Sequence, residues 1–255
     1  MEGLELRKNH VDTLLGPGIN IHRHPLNGRN FEYFSEDPYL SGKLAAGFIR
    51  GAQKQGVSAC AKHYAANAQE LLRMHSDSVM DERTLREMYL TNFEIAIKEG
   101  KPGFVMTAYN RVNGVYANES RHLLGDILRG EWGFDGAVVT DWGGSNSIVE
   151  GVREGMNLEM PAAGDDSPCQ LVKAVKDGTI DEKIVDERVD QLLDFVLAEH
   201  KSGESSFDAA KQHQAAEAAA EKCLVLLKND KHLLPLKKDA RVAVIGEFAA
   251  RSRYQ

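Results

Sequence analysis

The feature that most constrains the fold is a regular alternation of short apolar segments with helical segments. Five segments favour β-strands, most of them bounded by glycine: Val11–Ile21, Gly56–Ala61, Gly103–Ala108, Gly136–Thr140 and Gly155–Met160. Helical periodicity is found at Pro38–Gln53, Asp81–Lys98, His122–Trp132 and Asp181–Glu199. Strand–helix units of about 30–45 residues predict a parallel βα architecture.

Two architectures have this alternation, a doubly wound sheet and a (β/α)8 barrel. Polar residues follow several of the strands: Lys62–His63, Tyr109–Asn110, Asp141–Trp142 and Glu159. Chemically reactive side chains at the carboxyl ends of many strands are typical of a barrel. A dinucleotide-binding sheet would place a GxGxxG motif after one strand, and no predicted strand is followed by one. The sequence therefore predicts an α/β chain of the barrel type.

Only five of the eight strands that a barrel needs precede Gly203, and the chain opens almost directly into a strand without a preceding helix. Residues 1–202 are therefore predicted to be the C-terminal part of a (β/α)8 barrel, about five βα units, with about three units missing on the N-terminal side. The stretch SGESSFD has the composition of a linker. A helix over Ala209–Lys228 and a strand over Arg241–Ile245 follow. Residues 203–255 are expected to be the linker, helix and first strand of a second, truncated α/β domain, which makes the sequence a fragment at both ends.

Composition and charge limit the classes of partner that the chain is expected to bind. The chain has 255 residues, of which 42% are hydrophobic, enough for a sizeable core. Its net charge of −7 argues against nucleic acid and anionic membranes as main partners. No apolar run approaches a bilayer span, and the N-terminus has no apolar signal-peptide core. Cys60, Cys169 and Cys223 form no disulfide framework. They suit a reducing compartment, so localisation stays open with the cytoplasm slightly favoured.

Asp141 is the strongest candidate for chemistry, because it follows the clearest strand. A carboxylate at the mouth of a barrel can be a nucleophile, a general base or a metal ligand, or it can cap the following helix. Trp142 favours a functional role, since an aromatic ring beside a carboxylate offers a stacking surface for a sugar. Tyr109, at another strand end, can orient the carboxylate or be a simple rim aromatic.

Cationic residues supply further candidates. Lys62 and His63 can hold substrate hydroxyls or a phosphate, and Lys62 can also form a Schiff base. A surface lysine beside a packed histidine is the structural alternative. If its segment is helical, Arg73 shares a face with Asn67 and Glu70 by i,i+3 spacing, and it can donate two hydrogen bonds. A solvated charged face explains that spacing more simply.

The long loop Pro25–Pro38 contains Arg29, which we expect to be a site residue, because long ordered loops are usually functional. Glu36 and Asp37 are instead predicted to start the next helix. His22 and His24 form a His-x-His pair with no third ligand at a supporting spacing. No metal and no cofactor are therefore predicted.

Together these motifs resemble the glycoside hydrolase family 3 β-glucosidases. Six segments carry the resemblance, in order, over nearly the whole chain: GPGINIHRHPLNGRNFEYFSEDPYLSG, AKHYAANAQELLR, MTAYNRVNG, GAVVTDWGG, GMNLEMP and AAEKCLVLLKNDKHLLPL. The resemblance implies a barrel followed by an α/β sandwich, with Asp141 as the nucleophile. It implies substrate-binding roles for six residues: Arg29, Lys62, His63, Arg73, Tyr109 and Trp142.

Ala68 and Thr140 depart from the family pattern, which usually has Asn and often Ser at these positions. KHYAANAQE lacks the catalytic histidine and the glycines of the N-acetylglucosaminidase branch, which argues against that branch. The implied reaction is retaining hydrolysis of terminal non-reducing β-D-glucosyl residues, with a β-glucoside or short oligosaccharide as substrate. Glu32, Glu70 and Glu159 do not match the acid/base motif, which the resemblance places in the second domain beyond this chain.

Alternatives stay open. They are a β-xylosidase or another exo-glycosidase of the family, a sugar-binding fragment without catalysis, and a Schiff-base aldolase that uses Lys62. The chain alone is expected to have little or no activity. A homo-oligomer or a partner chain that completes the barrel is compatible with this prediction.

Overall fold

The computed structural model describes residues 2–199 and 206–251. The chain forms two compact units, Met1–Phe207 and Asp208–Gln255. The predicted boundary between residues 202 and 203 lies outside the described residues, and the assignment of the two parts to separate domains stays a prediction.

The first unit is built on a parallel sheet. In chain order the strands are β1 (Thr13–Leu14), β2 (Ser58–Tyr64), β3 (Asp77–Ser78), β4 (Phe104–Thr107), β5 (Arg111–Val112), β6 (Val115–Tyr116) and β7 (Ala137–Val139). Strands β1, β2, β4 and β7 form the main sheet in that order, and all of its pairings are parallel. Strands β3, β5 and β6 form a separate small sheet. A parallel sheet that does not close confirms the predicted partial barrel.

Helices follow most strands of the main sheet. In the first unit they are Glu2–Lys8, Pro38–Gln53, residues 82–100, Arg121–Glu131, Ile148–Glu154, Asp166–Lys176 and Glu182–Glu199, with single 3-10 turns at Asn30–Glu32 and Ala117–Glu119. The second unit contains the helices Ala209–Cys223 and Glu247–Ala250. None of the described helices is long and apolar enough to cross a membrane.

The helix Pro38–Gln53 begins where its sequence predicts. The Asp37 carboxylate accepts hydrogen bonds from the backbone N–H groups of Tyr39 (2.8 Å) and Leu40 (3.3 Å), and Pro38 occupies the first turn. The predicted structural role of Asp37 is therefore confirmed.

Three local predictions are wrong. A helix, Glu2–Lys8, precedes the first strand, and Gly3 packs closely against Ala52 and Gln55 of the next helix region. The fifth strand, Gly155–Met160, is reduced to one bridge between Val139 and Leu158, since no described strand pairs with its other side. The segment Arg241–Ile245 forms no strand, because a strand needs a ladder partner and the described part of its unit offers none.

The sheet separates two sets of apolar side chains, as alternation along each strand requires. Ala59, Ala61, Val105 and Val138 pack with the buried residues of the helices. Cys60, Phe104, Met106, Ala137 and Val139 form a second cluster, which Leu192 and Phe195 of the helix Glu182–Glu199 contact. The Phe104 and Phe195 rings meet edge to face with centroids 4.4 Å apart. Both faces of the sheet are thus covered, and its polar strand ends form one rim.

Candidate active site

The carboxyl ends of the parallel strands bring most of the predicted residues to one edge of the sheet. Lys62 and His63 lie near the end of β2, Tyr109 lies two residues after β4, and Asp141 lies two residues after β7. The loop after β1 delivers Arg29 to the same cluster. The parallel strands therefore bring several side chains from different strands around one point, as the barrel prediction requires.

Asp141 is buried, and one of its two carboxylate oxygens accepts a hydrogen bond. The residue is 8% exposed. Its Oδ1 atom accepts a hydrogen bond from the backbone N–H of Trp142 (2.8 Å). Its Oδ2 atom is buried and accepts no hydrogen bond of good geometry from the described residues, while the Nε2 atom of His63 lies 3.5 Å away. Catalytic hydrogen bonds are often long in the absence of substrate. The free oxygen is the atom with which this carboxylate can act.

His63 is held rigidly beside Asp141. It is 1% exposed, and the Asn20 amide binds both of its backbone polar groups at 2.9 Å. Burial lowers the pKa of His63 well below its ordinary value, and the charges of Arg29, Lys62 and Arg73 lower it further. The imidazole is therefore neutral at neutral pH, and its contact with Asp141 is not an ion pair.

Glu32 links two of the predicted cations. Its Oε1 atom lies 2.5 Å from the Nε of Arg29, and its Oε2 atom lies 3.5 Å from the Nζ of Lys62. All three side chains are about four-fifths buried. Partly buried pairs are screened less by salt than surface pairs, so this bridge holds both cations in place. The opposite charge also limits how strongly the two cations repel each other.

Arg73 is anchored in the same way. Its Nη1 atom lies 2.8 Å from the Oε2 of Glu70, whose other oxygen accepts a hydrogen bond from Asn67 (3.2 Å). The guanidinium carbon lies 4.6 Å from the centre of the Tyr109 ring, which is a cation–π distance. Asn67, Glu70 and Arg73 thus form one connected network, but residues 67–73 are irregular backbone and turn, so no helical face brings them together.

Tyr109 and Trp142 complete the cluster. The Tyr109 hydroxyl donates to the backbone carbonyl of Trp142 (2.8 Å). Burial, and then the negative charge of Asp141, raises the pKa of Tyr109 to about 12, so the hydroxyl stays protonated. The Trp142 side chain is 43% exposed, which leaves its ring open to solvent beside the carboxylate.

All seven predicted site residues therefore belong to one neighbourhood. The spacing argument had already placed Glu70 beside Arg73, but the roles of three others were missed: Glu32 is a counter-ion, and Asn20 and Tyr33 contact His63. The i,i+3 spacing of Glu32 from Arg29 was a usable signal for that pair. No sequence signal marked Asn20, because its partner lies 43 residues away in the chain.

Other polar features lie apart from this cluster. A cavity of about 660 Å³ is lined by Asn27, Gln69, Ser78, Tyr89 and neighbouring residues, and none of the predicted site residues lines it. In the part of the chain that the structure describes, no three His, Cys, Asp or Glu side chains are arranged to hold a metal ion. The chemistry that the cluster can support is that of a buried carboxylate surrounded by hydrogen-bond donors.

Comparison with known proteins gives the family context. Residues 1–195 match the model of the glycosyl hydrolase family 3 N terminal domain. The chain is 49% identical over 255 residues to a thermostable beta-glucosidase B from Acetivibrio thermocellus, covering 99% of this chain and 34% of that protein. It is 42% identical over 263 residues to an exo-alpha-(1->6)-L-arabinopyranosidase from Bifidobacterium longum, covering 98% and 34%.

Solved structures of similar proteins have the same fold as this chain. A family 3 beta-glucosidase from Bifidobacterium adolescentis superposes with a TM-score of 0.93 at 42% identity, covering 99% of this chain and 38% of that one. Beta-glucosidase 3B from Thermotoga neapolitana, solved in complex with glucose, gives a TM-score of 0.86 at 42% identity, covering 92% and 34%. The chain thus spans about a third of the length of these relatives.

Proposed function

Because the chain belongs to glycosyl hydrolase family 3, we propose that it carries the nucleophile part of a retaining β-glucosidase site. Asp141 attacks the anomeric carbon of a terminal non-reducing β-D-glucosyl residue and displaces the aglycone. A covalent glycosyl-enzyme results, and water hydrolyses it in the second step. Residues 1–202 belong in this proposal to the catalytic barrel, and residues 203–255 begin a second α/β domain.

One observation carries the proposal. Asp141 is a buried carboxylate with an unoccupied oxygen, placed where the carboxyl ends of β2, β4 and β7 converge. A nucleophilic carboxylate must present an accessible oxygen to the reacting carbon. The charges of Arg29, Lys62 and Arg73 lower the pKa of His63, so the imidazole beside that oxygen is neutral.

The other side chains would bind the sugar. Arg29, Lys62 and Arg73 present donors that suit hydroxyl groups, and such contacts accelerate the reaction when they strengthen in the transition state. His63, which is 1% exposed, lies against Asp141 instead. The exposed Trp142 ring offers a stacking surface, and Tyr109 holds the backbone beside the nucleophile. In this proposal, the side chains of the cluster together position one glucosyl unit over Asp141.

The general acid is proposed to lie outside this chain. Glu32 and Glu70 are ion-paired with arginine or lysine, and Glu159 accepts a hydrogen bond from Ser167 (3.1 Å). Each of these three carboxylates is therefore already engaged by a neighbouring side chain. These contacts support leaving all three residues out of the acid/base role.

A second specificity within the family has its own support. Two of the similar proteins, from Bifidobacterium longum and Bifidobacterium breve, are exo-alpha-(1->6)-L-arabinopyranosidases at 42% and 41% identity. The same nucleophile arrangement would serve a pentopyranoside, so an exo-glycosidase of different sugar preference is the alternative. The contact of the Lys62 Nζ atom with the Glu32 carboxylate, at 3.5 Å, disfavours the aldolase alternative, since it engages the amine that would have to attack a carbonyl substrate.

Hydrolysis of dinitrophenyl β-glucoside tests the proposal. Dinitrophenolate leaves without protonation, so the absent acid matters little in the first step. We expect a burst of dinitrophenolate from the chain that disappears in Asp141→Asn. Asp186→Asn, which changes an exposed aspartate on the helix Glu182–Glu199, is the matched control and should retain the burst.

The possible outcomes separate the alternatives. A burst that survives in Asp141→Asn would refute the nucleophile assignment. A larger burst from the corresponding α-L-arabinopyranoside would favour the second specificity. Binding of glucose that is unchanged by Asp141→Asn, with no burst from either protein, would indicate a sugar-binding fragment.

A further inference from the structure

Tyr33 has a buried hydroxyl with one described partner. It is 5% exposed, and its oxygen lies 3.4 Å from the Nδ1 atom of His63. The two rings meet nearly edge to face with centroids 6.4 Å apart. Burial raises the pKa of Tyr33 far above its ordinary value, so the hydroxyl keeps its proton at neutral pH. A buried O–H group of this kind needs an acceptor.

A neutral imidazole carries its proton on only one of its two nitrogens. If the proton of His63 is on Nδ1, the hydroxyl proton of Tyr33 has no acceptor within residues 2–199 and 206–251. The Nε2 lone pair would then face the Oδ2 atom of Asp141, 3.5 Å away. This state leaves a buried donor unsatisfied and sets a lone pair against a carboxylate.

The opposite tautomer gives the Tyr33 hydroxyl an acceptor. With the proton on Nε2, Tyr33 donates to Nδ1 at 3.4 Å, and the Nε2–H group faces the Oδ2 atom of Asp141 at 3.5 Å, a contact that is longer than a well-formed hydrogen bond. The Oδ1 atom of Asn20 lies 3.4 Å from Nδ1 and accepts the backbone N–H of His63 at 2.9 Å. Its second lone pair can accept a proton from Nδ1, but that arrangement leaves the Tyr33 hydroxyl without an acceptor among the described residues. A hydrogen bond to a carboxylate is about twice as strong as a neutral one, which favours this state further.

We propose that Tyr33 is a positioning residue that holds His63 in the Nε2–H tautomer, so that His63 donates to the free oxygen of Asp141. The N–H of Trp142 already binds the other oxygen. The two donors together fix the plane of the carboxylate. The consequence for sugar chemistry rests on the proposed role of Asp141, whereas the tautomer itself does not.

Ring ¹⁵N spectra of the whole chain, labelled in histidine, test the tautomer directly, because protonated and unprotonated ring nitrogens have well-separated shifts. The chain has nine histidines, and the His63 signals are those lost in His63→Gln. We expect a protonated Nε2 and an unprotonated Nδ1 at neutral pH. Tyr33→Phe should shift His63 toward the Nδ1–H form. Tyr64→Phe, which removes another buried hydroxyl (2.9 Å from the Leu123 carbonyl), is the matched control and should not.

A protonated Nδ1 in the unmodified chain would overturn the proposal without any variant. A tautomer that Tyr33→Phe leaves unchanged, or that Tyr64→Phe changes equally, would also overturn it. We expect Tyr33→Phe to slow the dinitrophenolate burst by roughly tenfold, the equivalent of one lost hydrogen bond. If no burst occurs in any protein but the tautomer responds as expected, the proposed function fails and the role of Tyr33 in setting the tautomer stands.

Discussion

Acid should destabilise the chain partly through His63. Its pKa is lowered in the folded state by burial and by three neighbouring cations, so the folded protein resists protonation of this ring. The unfolded chain protonates it near pH 6.5. A group with a lowered folded pKa contributes stability above the unfolded pKa and loses it as pH falls. At pH 5.5 the unfolded state gains about 1.4 kcal/mol from this proton, against about 0.2 kcal/mol at pH 7.

The difference between the two pH values, about 1.2 kcal/mol, can be isolated by comparing the unmodified chain with a variant that lacks His63. Urea denaturation at pH 7 and pH 5.5 should show that His63→Gln loses about 1.2 kcal/mol less unfolding free energy than the unmodified chain. Titrating groups distant from His63 cancel in this comparison. His75 is exposed, so His75→Gln controls for the loss of one imidazole. Equal losses in the unmodified chain and in His63→Gln would refute the argument that His63 is buried in its neutral form.

The remaining predictions concern packing. Phe93 is fully buried with its ring 5.2 Å from that of Tyr64, so Phe93→Ala should lower the unfolding free energy by about 3–5 kcal/mol in urea denaturation. The same change at Phe31, which is 67% exposed, should alter it by less than about 0.5 kcal/mol, and similar losses at both sites would contradict the described core. Gly47→Ala meets open space within the helix Pro38–Gln53 and should raise stability by about 1 kcal/mol, measured as an increase in Tm. Gly136→Ala would make its Cβ overlap the backbone carbonyl oxygen of Gly103 and should cost about 1–3 kcal/mol, so a Tm equal to that of Gly47→Ala would be inconsistent with this packing.

The regular elements were predictable because local patterns determine them. The helix Pro38–Gln53 has the predicted bounds, since an apolar stripe and an Asp-Pro start agree on the same segment. The helix Glu2–Lys8 was missed because it has only seven residues and buries only Gly3. The fifth strand was overestimated, since its apolar sequence forms a ladder only where neighbouring strands are present.

The candidate site was also predictable where local patterns determine it, and not where long-range contacts do. The rule that parallel strands end at one edge was enough to bring Lys62, His63, Tyr109 and Asp141 together. The contacts of Asn20 with His63 depend on the path of the irregular segment after β1, which hydrophobic periodicity does not determine. Roles that depend on such contacts are visible only in three dimensions.

The order of the main sheet also has a kinetic consequence. Strands β1, β2, β4 and β7 pair in the order in which they occur in the chain, so each of them adds to an edge that an earlier strand has already formed. Each pairing closes a loop of a few tens of residues, and the entropy of loop closure rises only slowly with length. Such a sheet can grow one unit at a time as the ribosome releases the chain, without waiting for the distant end.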